Sequence, residues 1–348
     1  MSVSGPNSSC AAARQACANV PTWATNTAAV GLQASVKTSM AVPTTGRRRF
    51  IVRFGGTGLP SVDVRFAFKT SPQNTTWAEV LPIWQAADDI DVYESGWTFD
   101  HFYPIFSDPT GPCLEGWITL TALAQATKRL RVGVLVTGIH YRHPAVLANM
   151  ASALDIVSNG RLELGIGAGW NEEESGAYGI ELGSIRERFD RFEEACEVLT
   201  GLLSQETTSF DGKYYRLKDA RNEPKGPQQP YPPICIGGSG EKRTLRITAR
   251  WAQHWNYVGG PPEEFARKRD VLASHCADIG RDPKEIMLSA HVRLGADRDY
   301  AKVVDEAAAL GAEGLDLAIV YLPSPYDTAV LEPLAESIRD SGLTVTKP

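Results

Sequence analysis

Several residue patterns are missing from this 348-residue chain, and each absence closes off a class of function. No C-x-x-C pair occurs: Cys10, Cys17, Cys113, Cys196, Cys235 and Cys276 stand far apart. They read as reduced, mostly buried thiols of a cytoplasmic enzyme, not as a disulfide framework or a zinc site. No apolar run approaches the roughly 18 residues that a membrane helix needs. Basic residues number 35 against 41 acidic ones, for a net charge of -6. A nucleic-acid partner would need a basic footprint, so neither nucleic acid nor membrane is expected. Walker loops and Ser/His/Asp triad signatures are absent too.

Residues 1–62 lack acid altogether, while carrying Arg14, Lys37, Arg47, Arg48, Arg49 and Arg53. This stretch has no helical or alternating periodicity. It is Arg-rich and acid-poor like a transit peptide, but not amphipathic, and it has no compact apolar core like a secretory signal. The reading adopted is an unstructured extension produced by a start site placed upstream of the natural one. A strand-like run begins abruptly at Val64-Arg65-Phe66-Ala67-Phe68. The folded domain is therefore expected over 63–348.

From Val64 onward, short β-rich runs alternate with amphipathic helical stretches. Strands are expected at Arg65–Phe68, Glu94–Thr98, Arg131–Thr137, Arg161–Ile166, Pro233–Ile236, His254–Tyr257, Met287–Val292 and Leu315–Ile319. The intervening helices run over Trp77–Ile90, Trp117–Lys128, Ala145–Val157, Ile185–Leu203, Lys242–Trp251, Glu263–Ile279, Tyr300–Leu310 and Thr328–Arg339. Their apolar residues recur at i, i+3, i+4 and i+7. Eight such units predict an α/β chain closed as a (β/α)8 TIM barrel, with a doubly wound open sheet as the alternative. The rhythm breaks at 170–184 and 205–233, which places insertions after strand four and before strand five. The second holds Asp211-Gly212 between aromatic residues, a hairpin signal.

Four strand ends carry chemistry. Strand two ends in Asp100-His101, where a carboxylate would fix an imidazole tautomer for proton transfer. Strand four runs into Gly165-Ile166-Gly167-Ala168-Gly169-Trp170, and the fifth into Gly237-Gly238-Ser239-Gly240. Glycines after a strand let backbone N–H groups approach a phosphate, and Ser239 is placed to cap the following helix. Lys242 and Arg243 stand ready to add charge there, or simply to be solvated. Trp170 is either a wall against an aromatic ring or loop packing, and Glu172-Glu173-Glu174 reads as a solvated face. Strand three ends in His140-Tyr141-Arg142-His143, but two imidazoles without carboxylates do not make a metal site, and none is expected.

In combination these motifs resemble the luciferase-like flavin-dependent oxidoreductases, and specifically their branch that uses the deazaflavin coenzyme F-420. The resemblance covers roughly Val64 to Arg339. It is carried by Asp100-His101-Phe102, the run from Gly133 to Pro144, Asp155 to Asn171, Glu187–Ala195, Ile236–Arg246 and Gly280–Ile286. It implies a tricyclic ring in the barrel mouth, with the phosphate held by the loops around Gly167, Ala168, Gly169, Trp170 and Gly237, Gly238, Ser239, Gly240. It also implies a bulge on strand three, commonly a non-proline cis peptide, near Leu135–Val136, so that Leu135, Val136 and Thr137 support the ring. In the family's sugar-phosphate dehydrogenases a catalytic Glu follows the G-x-G-x-G run; here Trp170 stands in that position. His101, oriented by Asp100, is left as the proton-transfer residue. The expected function is hydride transfer between a deazaflavin and a small organic substrate. The alternatives are an FMN-dependent monooxygenase and a flavin-binding barrel without turnover. The expected assembly is a homodimer.

Overall fold

A computed structural model describes residues 63–343 of the chain. The extension expected over residues 1–62 lies outside the described residues.

Eight parallel strands close into a barrel, as the alternating pattern requires. In chain order the first elements are β1 (Arg65–Lys69), α1 (Trp77–Asp88), β2 (Tyr93–Asp100), α2 (Gly116–Ala126), β3 (Arg131–Gly138), α3 (Pro144–Val157) and β4 (Leu162–Gly167). There follow α4 (Glu172–Ala177), α5 (Ile185–Ser204), β5 (Thr208–Asp211), β6 (Arg216–Ala220) and β7 (Ile234–Gly237). The last third adds α6 (Thr244–Trp251), β8 (His254–Tyr257), α7 (Pro262–Asp278), β9 (Met287–Arg293), α8 (Tyr300–Ala312), β10 (Leu317–Tyr321) and α9 (Leu331–Asp340). Around the barrel the order is β1-β10-β9-β8-β7-β4-β3-β2, and β5-β6 forms a separate antiparallel hairpin. Both insertions fall between β4 and β7, on either side of α5.

Local sequence explains the element starts. Thr76 with Glu79, and Ser184 with Glu187, make capping boxes at α1 and α5, satisfying backbone donors that have no helical partner. Pro144 opens α3 at a position where its missing N–H costs nothing. Two cores result. The larger lies between the strands' outer faces and the helices. The smaller fills the barrel interior with Ala67, Trp97, Leu135, Cys235, Leu317 and Ile319. Trp97 needs Gly133 beside it, because a Cβ there would meet the indole at 2.3 Å.

The interior also carries buried charge. Glu163 on β4 accepts from Arg131 Nε at 2.8 Å and pairs with His254 Nδ1 on β8 at 2.8 Å, while His254 Nε2 lies 2.6 Å from Ser289 Oγ. Burial opposes the Glu163 charge, but bonds from His254 and Arg131 outweigh it and hold the carboxyl at about 2. On β3 the register with both neighbours shifts around Leu135–Val136, and the Leu135–Val136 peptide is cis. This is the bulge that the family resemblance implies.

Candidate active site

The strands' C-terminal ends open into a cavity of about 910 Å³. Of the residues singled out from sequence, His101, Leu135, Val136, Gly167, Ala168, Gly169, Trp170, Gly237 and Gly238 line it. Asp100, Thr137, Ser239 and Gly240 do not.

His101 follows β2 directly and is 7% exposed. Its orienting partner is Glu174 on α4, whose Oε2 lies 2.8 Å from His101 Nδ1. The expected partner, Asp100, is turned away, since successive side chains along a strand face opposite sides. Asp100 pairs instead with Arg142, whose Nη2 lies 3.2 Å from Asp100 Oδ1 and 3.0 Å from Glu115 Oε1. Asp100 therefore anchors the strand end and does not touch the imidazole.

Glu174 is 0% exposed, whereas Glu172 and Glu173 face solvent. The acidic run is thus a solvated face at two positions and part of the site at the third. Asn171 produces the difference: its side chain accepts from the Glu174 N–H at 3.1 Å, capping a helix only six residues long and turning its third residue inward. Burial resists a charge on Glu174, but His101, the Tyr141 hydroxyl and the Phe102 N–H all bond to it and together hold the carboxyl below its ordinary range. An ionised carboxylate only accepts hydrogen bonds, so Nδ1 of His101 carries the proton. In the neutral ring, Nε2 is then left with a lone pair.

Aromatic rings surround this group. Phe99 and Trp170 meet the imidazole edge-on at centroid distances of 5.0 and 5.7 Å, and Phe106 stacks flat on Trp170 at 5.4 Å. Trp170 is therefore a wall of the mouth beside His101.

The two glycine-rich segments meet the cavity for different reasons. A Cβ at Gly167 would lie 2.9 Å from Val136 Cγ2, and one at Gly237 would lie 3.1 Å from Val136 Cγ1. These glycines admit the strand-three bulge. Gly238 has φ +115°, which L side chains rarely adopt, and it opens the turn toward α6. The N–H groups of Ser239 and Gly240 make no hydrogen bond among the described residues. Ser239 does not cap α6, which begins only at Thr244; its Oγ is buried without a partner, as is Arg243 Nε. Open donors beside Gly238 and Thr244 suit an anionic group such as a phosphate. Thr137 departs from expectation: its hydroxyl accepts from Trp117 Nε1 at 2.8 Å on the helix side of the sheet. The two imidazoles of the H-x-x-H run also diverge. His140 Nε2 lies 3.1 Å from Ser175 Oγ, and His143 caps α3.

Sequence reasoning missed the opposite wall. Lys69 at the end of β1 bonds to Leu135 O and to the Tyr321 hydroxyl, each at 2.8 Å. Asn256 Oδ1 and His291 Nε2 are buried there without partners. Lys69, Asn256, His291 and Tyr321 all line the cavity. A polar-edged planar ligand would satisfy such orphaned atoms, so the site fits a flavin-type ring.

A family model described as luciferase-like monooxygenase matches residues 62–336. The chain belongs to this family. It is 34% identical to a phthiodiolone/phenolphthiodiolone dimycocerosates ketoreductase of Mycobacterium kansasii, over 58% of this chain and 56% of that protein. The chain thus spans little more than half of that relative's length. It is 30% identical to an F420-dependent glucose-6-phosphate dehydrogenase of Microbacterium testaceum, over 69% of this chain and 71% of the relative. In solved structures the family fold recurs in an F420-dependent secondary alcohol dehydrogenase in complex with an F420-acetone adduct. That match has a TM-score of 0.72 at 18% identity and covers 81% of this chain and 99% of the other.

Proposed function

We propose that the chain is a deazaflavin-dependent oxidoreductase that interconverts an alcohol and its carbonyl compound, with His101 handling the proton. The observation that carries this reading is the held imidazole: Glu174 fixes Nδ1, and Nε2 remains free beside the cavity. The reductase and dehydrogenase activities named for the relatives support the reaction class.

The loop from Gly237 to Gly240, with Thr244 and Arg243, would hold the phosphate, and Val136, Ala168, Asn256 and His291 would border the ring. When bound, a deazaflavin supplies a carbon centre that gives or takes hydride and, lacking the reactive ring nitrogen of a flavin, resists oxygen. The protein's own contribution is the proton. In the oxidising direction His101 Nε2 accepts the substrate's hydroxyl proton; in the reducing direction the imidazolium returns it to the carbonyl oxygen. Glu174 stabilises the imidazolium, and Tyr141 and the Phe102 N–H keep that carboxylate in place. Phe99 and Trp170 flank the imidazole edge-on, which leaves it 7% exposed.

Titration with deazaflavin and with FMN, followed by turnover under an oxygen electrode, tests the reading. Deazaflavin is expected to bind and turnover to leave oxygen untouched. Tight FMN binding with oxygen uptake would make the protein a monooxygenase instead, and binding without turnover on any alcohol or ketone would leave a flavin-binding barrel.

A further inference from the structure

The charges around the cavity are one-sided. No Asp or Glu is among its lining residues, although the chain as a whole carries a net charge of -6. Two permanent cations do line it, Lys69 and Arg293. They bracket the Tyr321 ring, with Lys69 Nζ 4.6 Å and Arg293 Cζ 4.7 Å from its centroid. Neither has a carboxylate within ion-pair distance among the described residues. For Lys69 this is costly, because the side chain is 2% exposed and a buried ammonium is ordinarily paired with an anion. Its present partners are neutral: the Leu135 carbonyl, the Tyr321 hydroxyl and the face of the Tyr321 ring. The Tyr321 hydroxyl accepts from Lys69 and has no acceptor for its own proton among the described residues, so it is a third donor at the same spot. Burial first, and then Lys69 and Arg293, push His291 well below its usual range, so it adds no charge of its own.

Position separates this cluster from the phosphate loops. In the eight-strand ring, β1, which ends in Lys69, stands diametrically opposite β7, which ends at Gly237; β10, with Tyr321, stands opposite β4. The Lys69 strand end and the Gly237–Gly240 turn thus stand on opposite sides of the barrel mouth, with Arg293, at the end of β9, midway between them. His101, by contrast, follows β2, the immediate neighbour of β1.

We infer that Lys69, Arg293 and the Tyr321 hydroxyl form a carboxylate subsite, so that the substrate is a hydroxy acid or oxo acid with an apolar body. Its hydroxyl or carbonyl carbon lies toward His101, its carboxylate toward Lys69, and its apolar part against Phe106 and Trp170. The inference takes its reaction from the oxidoreductase reading, but the subsite itself is testable by binding.

The probes are octanoate and 1-octanol, titrated calorimetrically into the deazaflavin-loaded protein, with deazaflavin affinity measured separately for each variant. Octanoate is expected to bind at least about tenfold more tightly than 1-octanol, and Lys69→Met to weaken octanoate alone by about tenfold to a hundredfold, the usual range for a charge-assisted bond. Arg293→Gln, on the exposed rim, is expected to weaken it by about threefold to tenfold. Because Arg293 is exposed, that variant stays folded even where Lys69→Met does not, and it decides the matter by itself. Equal binding of the two probes, or equal losses for both in the variants, would overturn the subsite. A fall in deazaflavin affinity in step with octanoate would show that the cluster holds the cofactor instead. A protein that takes up no deazaflavin at all fails the oxidoreductase reading, while the octanoate comparison on the same sample still decides the subsite.

Discussion

Glu174 governs how His101 can work. It accepts from the imidazole, from Tyr141 and from the Phe102 N–H, and it is sealed from solvent. Replacing it by Gln keeps the shape but removes the charge that stabilises an imidazolium. Glu174→Gln is expected to lower turnover by about 10²-fold, and His101→Ala by about 10²–10⁴-fold, the usual range for general acid–base groups. Deazaflavin affinity should hold in both, because the Gly237–Gly240 turn, which would hold the phosphate, follows β7 and makes no hydrogen bond to α4 among the described residues. Steady-state rates set beside a cofactor titration check this; parallel loss of rate and affinity would make His101 a binding group. Asp100→Asn should instead act on stability, since it loosens the Arg142 pair and does not touch the ring. His101 was legible in the sequence because it stands at a strand end. Glu174 was not, because three consecutive glutamates look alike until Asn171 caps the helix and selects which one turns inward. Lys69 was illegible for another reason: nothing in a β-strand run shows that a lysine at its end will be held by strands 66 and 252 residues further along the chain.

At the scale of elements, the turn between β7 and α6 is the most sensitive piece. Gly238 combines a positive φ with a place on the cavity wall, so Gly238→Leu both strains the backbone and crowds the ligand. It is expected to weaken deazaflavin binding, by on the order of 1–3 kcal/mol for each backbone donor lost. Gly179 is the matched control. It also has a positive φ, +64°, but a Cβ there meets nothing within 4 Å. Gly179→Ala should therefore cost about 1–2 kcal/mol of stability and leave the cofactor alone. Equal effects of the two changes on affinity would mean that the β7–α6 turn is only a turn. The eight barrel strands were readable to within two or three residues, because short β-rich runs and amphipathic helices alternate on both sides of the two insertions. Helix starts were less so: α6 begins at Thr244 and not at Lys242, and α9 is preceded by a 3-10 turn over Thr328–Val330. Neither helix has a side-chain cap to mark its first residue, so the sequence offers no local signal for these boundaries. The six-residue α4 is too short for any periodicity to reveal.

For the molecule as a whole, acid is the expected weakness. Burial first, and then Arg191, push His140 down to about 4 from an ordinary 6.5, and Glu163 is held at about 2 against an ordinary 4.5. Both are depressed in the fold, so the unfolded chain binds more protons and stability falls with pH. The His140 contribution is complete above about 6.5 and is lost as pH falls toward about 4; that of Glu163 is lost between about 4.5 and about 2. Melting followed by circular dichroism should show a Tm that is level above pH 7, declines below 6.5 and drops more steeply below 4.5; a level Tm down to pH 4 would contradict this. A chain starting at residue 63 retains every described strand and helix, and it is expected to melt and to bind deazaflavin like the whole; a large fall in Tm would give the first 62 residues a part in the fold. The barrel closes along a single seam, where β1 and β10 pair in parallel from Arg65↔Leu317 to Lys69↔Tyr321. If the chain were pulled from ahead of β1 and from beyond α9, the helix would peel away first. The seam would then be loaded lengthwise, with all of its backbone bonds sharing the force, so it would yield by sliding and not by unzipping. In a single-molecule stretching trace, the barrel should therefore resist as one unit and give way in one abrupt rupture.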